Sequence, residues 1–258
     1  MVKSIEAVSR AMTVLTRLRE VSPLSLAELQ ASTGINKATL LRILKTLGES
    51  GWVYKSLGDN RYRLSPAATA GIPQPTREVQ LAEASAPILE ALQETLRWPS
   101  DIAVRDGNAM HLIETTRNRT TFTLNRHLIG FRPAMLYSGV GRCYLSFCPD
   151  EERKEILTSL RTNNDREGKL ARDAIWINQL IEKTRQQGFG EREAAYYGAV
   201  GATGVEIEAI AVPIIKNNHL LGCLTAAWPK GAESRTTVIE LFLPRLNASA
   251  KEIAERVG

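Results

Sequence analysis

The chain has 258 residues, 43% of them apolar and 24% charged, with 33 Lys or Arg against 28 Asp or Glu. That length suits one large domain or two smaller ones, and the composition is that of an ordinary soluble globular protein. No apolar run approaches a membrane span and the N-terminus has no signal-peptide core, so a cytoplasmic protein with no membrane partner is expected.

A first helix opens near Ser4, with Ile5, Val8, Met12 and Leu15 on one stripe and Ala11, Val14 and Leu18 widening it. This apolar face either completes a small three-helix core or packs partly against a second protomer. Ser25 with Glu28 three residues later forms a capping box for a short second helix. Gly34 supplies the turn, and Asn36 caps a third helix with Leu40, Ile43, Leu44 and Leu47 on its inner stripe. The strands WVYKS and RYRL follow, joined by a turn with Asp59 and Asn60 at its tip.

Helix, turn, helix and hairpin in this order read as a winged helix-turn-helix over residues 1–65, whose third helix enters a DNA major groove. Asn36, Lys37, Thr39, Arg42 and Lys45 are the candidates for bases and phosphates on that helix, and Leu41 sits among them. Lys55, Arg61 and Arg63 on the wing are candidates for the phosphate backbone. The alternative for any one of these residues is a solvated charge. Charge placement favours DNA. Residues 1–65 hold ten Lys or Arg against five Asp or Glu, and the remainder holds 23 of each. The whole net charge of +5 therefore lies in the candidate reader, the footprint expected of backbone contact. Such readers usually bind symmetric half-sites as two copies, so a dimer is expected.

Pro66, Gly71, Pro73 and Pro75 mark a linker, and residues 77–98 read as a linker helix that Pro87 kinks or restarts under a Ser85 cap, which makes 66–97 the connecting segment. From Trp98 onward the pattern turns to strands. IAVRDGNAMHLIE is a hairpin about Asp106 and Gly107, and FTLNR, AMLYS, EAIAVPII and LLGCLTAAW are further strands. Helices near 141–147, 150–160 and 172–187, and one after Ser234, alternate with them. Residues 98–258 thus form an α+β domain large enough to enclose a small-molecule pocket.

Cys143, Cys148 and Cys223 lie in apolar surroundings and read as reduced core thiols; they lack the spacing and histidines of a zinc set, and no cofactor is expected. The loop Gly198–Gly204, GAVGATG, lacks the GK[ST] ending of a phosphate cradle. No Ser-His-Asp arrangement or HExxH occurs. An enzyme with an appended DNA-binding domain is therefore the weaker alternative, and a ligand-free architectural protein is disfavoured by the neutral second domain.

The blocks NKATLLRILKTLGESGWV with RYRL, IGFRPAMLYSGVGRCYLSFCPDEER, QQGFGEREAAYYG, AIAVPI and LLGCLTAAW together resemble the IclR family of bacterial transcription regulators over nearly the full chain. RWPSDIAV and IETTRNRTTFTLNRHLIG look most like the MhpR-type activators of phenylpropionate catabolism. The resemblance implies a GAF-like effector domain joined by a helical linker, a small-molecule inducer, and a dimer or dimer of dimers on an operator. It also implies contact with RNA polymerase if the protein activates. An aromatic carboxylic acid is the inducer expected from the MhpR-like segments. The alternative is a repressor answering to a small aliphatic acid such as glyoxylate or pyruvate.

Carried over position by position, the resemblance puts the backbone of Gly139 and Val140, and Ile210, Cys223 and Thr225, around the ligand, with Glu193 and Tyr197 across the pocket mouth. Arg126 and His127 are candidates for the ligand carboxylate, against a surface charge and an ordinary strand histidine. Met135 is either pocket wall or core.

Overall fold

A computed structural model describes residues 3–65, 75–117, 131–194, 196 and 206–258. The chain divides into two compact units, Met1–Gln74 and Pro75–Gly258.

In the first unit, α1 (Glu6–Glu20), α2 (Leu26–Thr33) and α3 (Lys37–Glu49) precede an antiparallel hairpin of β1 (Val53–Lys55) and β2 (Tyr62–Leu64). Each local signal takes effect. Ser25 and Glu28 complete both halves of the capping box on α2, Gly34 ends that helix at φ 68°, and the Asn36 side chain accepts the Thr39 N–H at 2.9 Å. Leu40, Ile43, Leu44 and Leu47 of α3 pack on Val14, Leu18 and Leu29 and on Val53 and Tyr62 of the hairpin. The outer stripe of α1 stays bare: Ile5, Val8 and Met12 are each more than half exposed.

In the second unit an antiparallel five-stranded sheet has the order β4-β3-β7-β6-β5. Its strands are β3 (Ser100–Asp106), β4 (Ala109–Thr115), β5 (Gly190–Glu191), β6 (Ile207–Lys216) and β7 (His219–Pro229). One face carries α4 (Arg77–Leu96) and α9 (Leu243–Arg256), the latter entered through a π-helical turn at Val238–Phe242. The other carries α5 (Gly139–Phe147), α6 (Asp150–Arg161), α7 (Arg166–Arg172) and α8 (Ala174–Gln187). Because side chains alternate along a strand, Ile210, Val212, Leu224 and Ala226 feed the first core while Ala211 and Cys223 feed the second. Asn217 and Asn218, both at positive φ, join β6 to β7 in a two-residue turn.

Three expectations change. The helix read as part of a linker belongs to the second unit's core, with Leu81, Ile88, Leu89, Leu92 and Leu96 buried. Pro87 neither ends nor restarts it, and Ser85 is no cap; its hydroxyl donates to the Leu81 carbonyl at 2.6 Å inside one continuous helix. The segment AMLYS is a turn rather than a strand, with one bridge from Ala134 to Ala109 before α5 begins. The expected strand FTLNR lies outside the described residues.

Candidate DNA surface and effector cavity

On the first unit, Asn36, Lys37, Leu41, Arg42, Lys45 and Lys55 are exposed, and Thr39, Arg61 and Arg63 are half-buried. These positions differ in how free their charges are. Among the described residues, no carboxylate pairs with Lys37 or Arg42, whereas Lys45 lies 3.7 Å from Glu49. Lys55 sits 5.8 Å over the Tyr62 ring. The wing arginines are committed: Arg63 grips Asp59 through both terminal nitrogens, at 3.0 and 2.6 Å, and Arg61 donates to Glu28 at 2.8 Å and to the Pro23 carbonyl at 3.1 Å. Arg63, then the Arg61 backbone N–H, hold the Asp59 carboxyl far below its ordinary value. The two wing arginines expected to meet phosphates thus already hold carboxylates. Thr39 and Arg42 also border a broad groove of about 690 Å³ whose apolar wall includes Val8, Met12, Leu15 and Trp52.

On the second unit, a cavity of about 50 Å³ lies between the start of α5 and the α5-facing side of the sheet. Its apolar lining comes from Leu112, Phe131, Val140, Ile207, Ala209 and Ala227, and its polar lining from Asp101, Arg117, Ser138, Arg192 and Thr225. Ser138 caps α5 by accepting the Gly141 N–H at 2.9 Å, which leaves the first-turn N–H groups of Gly139 and Val140 free of helical partners. Close packing enforces the glycines there. A Cβ on Gly139 would meet the Gly190 carbonyl oxygen at 3.2 Å, and one on Gly141 would meet the Met135 carbonyl oxygen at 2.3 Å.

Asp101 and Arg117 form a buried ion pair beside the cavity, with Arg117 Nη2 at 2.8 Å and Nε at 3.1 Å from the carboxylate and the Thr115 hydroxyl donating to it at 2.6 Å. Arg192 stands nearby without a carboxylate partner among the described residues. Its guanidinium lies 4.7 Å over the Tyr196 ring and bonds the Tyr196 carbonyl. Burial, with a contribution from Arg117, holds the Arg192 pKa below its ordinary value.

Of the expected ligand residues, Gly139, Val140 and Thr225 line this cavity. The Thr225 hydroxyl donates to the Ile210 carbonyl at 2.7 Å. Ile210 itself points to the opposite face of the sheet, into the core beneath α4 and α9, and Ala209 takes the cavity position, a displacement of one residue that alternation makes decisive. Met135 and Cys223 are fully buried in the core beneath α5, not on the cavity wall. Glu193 pairs with the buried Arg142. Arg126, His127 and Tyr197 lie outside the described residues.

Asp101, Arg117 and Arg192 escaped the sequence reading. Counting outward from the Asp106-Gly107 turn would put Asp101 opposite Glu114; a β-bulge between Ile102 and Ala103 shifts its partner to Thr115, two residues before Arg117, so the pairing was not legible in the spacing. Among the described residues, no group of His, Cys, Asp and Glu is arranged to hold a metal ion, and no helix is long and apolar enough to cross a membrane.

Residues 74–254 match the family described as the C-terminal domain of the bacterial transcriptional regulator IclR, and residues 2–71 match the HVO_A0261 N-terminal domain. The chain is 23% identical over 235 residues to the probable transcriptional regulator SauR of Cupriavidus necator, covering 90% of this chain and 89% of that one. It is 20% identical to the HTH-type transcriptional regulator KdgR of Escherichia coli, covering 99% and 94%. The crystal structure of an IclR-family regulator from Brucella abortus superposes with a TM-score of 0.56 at 20% identity, covering 99% of this chain and 94% of that one. An IclR homologue from Microbacterium hydrocarbonoxydans, solved with 4-hydroxybenzoate, gives 0.52 at 18% identity, covering 96% and 98%. At such identities the structural likenesses bear on fold alone, while the family match spans most of the chain and its relatives are regulators rather than enzymes. The chain belongs to the IclR family of bacterial transcriptional regulators.

Proposed function

We propose that this regulator activates a catabolic operon in response to an aromatic carboxylic acid, which binds in the cavity between α5 and the sheet. The observation that carries the reading is the pairing of an apolar wall with two guanidiniums and free helix N–H groups in one enclosure. The MhpR-like segments around Trp98 and Thr115 favour an aromatic acid and activation through RNA polymerase, and a relative of the same fold is solved with 4-hydroxybenzoate. We place the protein in the cytoplasm as a homodimer or a dimer of dimers, since the bare stripe of α1 and the groove it shares with α3 offer an apolar face to a second copy.

At about 50 Å³ the cavity holds a few waters. An aromatic ring therefore enters only as the walls part, and a ligand that binds the parted arrangement better shifts the protein towards it. The same small volume favours a second reading, a repressor answering to a small aliphatic acid, which would need less opening. Thermal denaturation of the purified chain with benzoates, hydroxylated phenylpropionates, glyoxylate and pyruvate separates the two, because a ligand of the folded state raises the melting temperature by mass action. Operator binding and in vitro transcription with the stabilising acid then decide between activation and repression. Stabilisation by none of these acids would remove the effector reading and leave the family assignment intact.

A further inference from the structure

We propose that the effector is held as a monoanion bridging Arg192 and Arg117, with Asp101 setting both the direction of Arg117 and the charge the site accepts. This rests on the reading of the cavity as the effector site.

Among the described residues, the cavity wall carries two cations and one anion, all largely withdrawn from water. Arg117 spends Nε and Nη2 on Asp101, and Nη1 has no protein partner among the described residues. Arg192 has a backbone carbonyl and the Tyr196 ring face as partners, but no carboxylate among the described residues. Both guanidiniums line the one cavity, and burial first, with Arg117 adding to it, disfavours the charged form of Arg192. A desolvated cation beside a second cation is costly, and an anion between them offsets both the burial and the repulsion.

The charge count of the described lining selects the ligand. Among the described residues, two guanidiniums and one carboxylate leave a single positive charge, which one carboxylate on the ligand balances. A neutral analogue leaves the cation unmatched, and a dianion leaves a negative charge buried against Leu112, Phe131 and Ala227. Guanidinium suits this task because its planar fork meets a carboxylate through two parallel N–H groups. The apolar lining takes the body of the ligand, so the class is a monocarboxylate with a hydrophobic group, not a short dicarboxylate.

The test is titration calorimetry on the full-length protein with benzoate, 4-hydroxybenzoate, 3-phenylpropionate and pyruvate as monoanions, benzamide as the neutral analogue and terephthalate as the dianion. At least one aromatic monoanion is expected to bind, with benzamide and terephthalate weaker by roughly tenfold or more. Arg192→Gln is expected to weaken that monoanion by roughly tenfold or more and to abolish the preference for benzoate over benzamide, while Arg192→Lys recovers part of both. A residue that merely supports the wall would not move this ratio. Asp101→Asn, if it folds, is expected to shift preference towards terephthalate; Arg192→Gln carries the test if it does not. Unchanged monoanion affinity in Arg192→Gln, or wild-type protein binding benzamide or terephthalate as well as benzoate, overturns the charge assignment and leaves the effector reading in place. Binding of pyruvate alone overturns the hydrophobic-body part and supports the small-acid reading. No binding by any compound overturns both.

Discussion

Arg61 on the wing donates to Glu28 Oε2 at 2.8 Å, and the same oxygen accepts the Ser25 backbone N–H at 2.7 Å. One carboxylate thus closes the capping box of α2 and ties that helix start to the hairpin 33 residues along the chain. Ser25 first, and Arg61 after it, hold the Glu28 carboxyl below its ordinary value of 4.5. Its contribution is present above that value and lost as pH falls through the lowered one. Glu28→Gln should therefore lower the melting temperature of the first unit at pH 7 by a few degrees at most, and the difference from wild type should vanish at strongly acid pH. Circular dichroism melts at both pH values check it.

The free and committed cations of the first unit should behave differently on DNA. Lys37→Ala and Arg42→Ala should each weaken operator binding and reduce the slope of log affinity against log salt by about one if the residue meets a phosphate. Arg63→Ala should change the slope less, because Asp59 already neutralises that charge at 2.6 Å. Fluorescence anisotropy with a labelled operator at several salt concentrations measures all three; equal slopes for Arg42→Ala and Arg63→Ala would count against the division.

The two faces of β6 should separate stability from ligand response. Ile210→Ala removes buried apolar volume beneath α4 and α9 and should cost about 3 kcal/mol with little change in ligand affinity once folded. Ala209→Leu fills the cavity and should cost the folded chain less while blocking the ligand. Chemical denaturation and calorimetry on the same two variants provide the comparison.

Gly141→Ala should destabilise by about 2 kcal/mol, because its Cβ would sit 2.3 Å from the Met135 carbonyl oxygen and 2.6 Å from that of Ala134, both backbone. Better helix propensity offsets only about 1 kcal/mol. A Gly34→Ala control, which has open space around it, isolates the cost of positive φ from the cost of collision.

The thiols should be inert in the folded protein. Burial pushes Cys148 up to about 11 and Cys223 well above its ordinary value, the latter helped by a hydrogen bond with the Cys143 thiol. A raised thiol contributes stability that is present below the unfolded value and lost as pH rises through the folded one, here between about 9 and 11 for Cys148. An aromatic disulfide reagent at pH 8 should react with none of the three until denaturant is added; prompt reaction in native buffer would show that the core beneath α5 opens readily.

The sequence by itself determined the local architecture and the family. The Ser25–Glu28 cap, the Asn36 cap, the turns at Asp106-Gly107 and Asn217-Asn218, and the inner stripe of α3 all act within a few residues of chain, where spacing translates directly into geometry. Concentration of the net charge in residues 1–65 was equally legible. Tertiary structure decided what distant segments do to one another. It turned a supposed linker helix into core by giving Leu81, Ile88 and Leu92 a sheet to cover, and it closed Arg61 onto Glu28. It also set which face of β6 meets the cavity and brought Asp101, Arg117 and Arg192 to one wall from positions up to 91 residues apart. Strand register and burial are properties of the assembled sheet: a shift of one residue exchanges Ile210 for Ala209, and Arg192 is held below its ordinary pKa only because the fold removes its water.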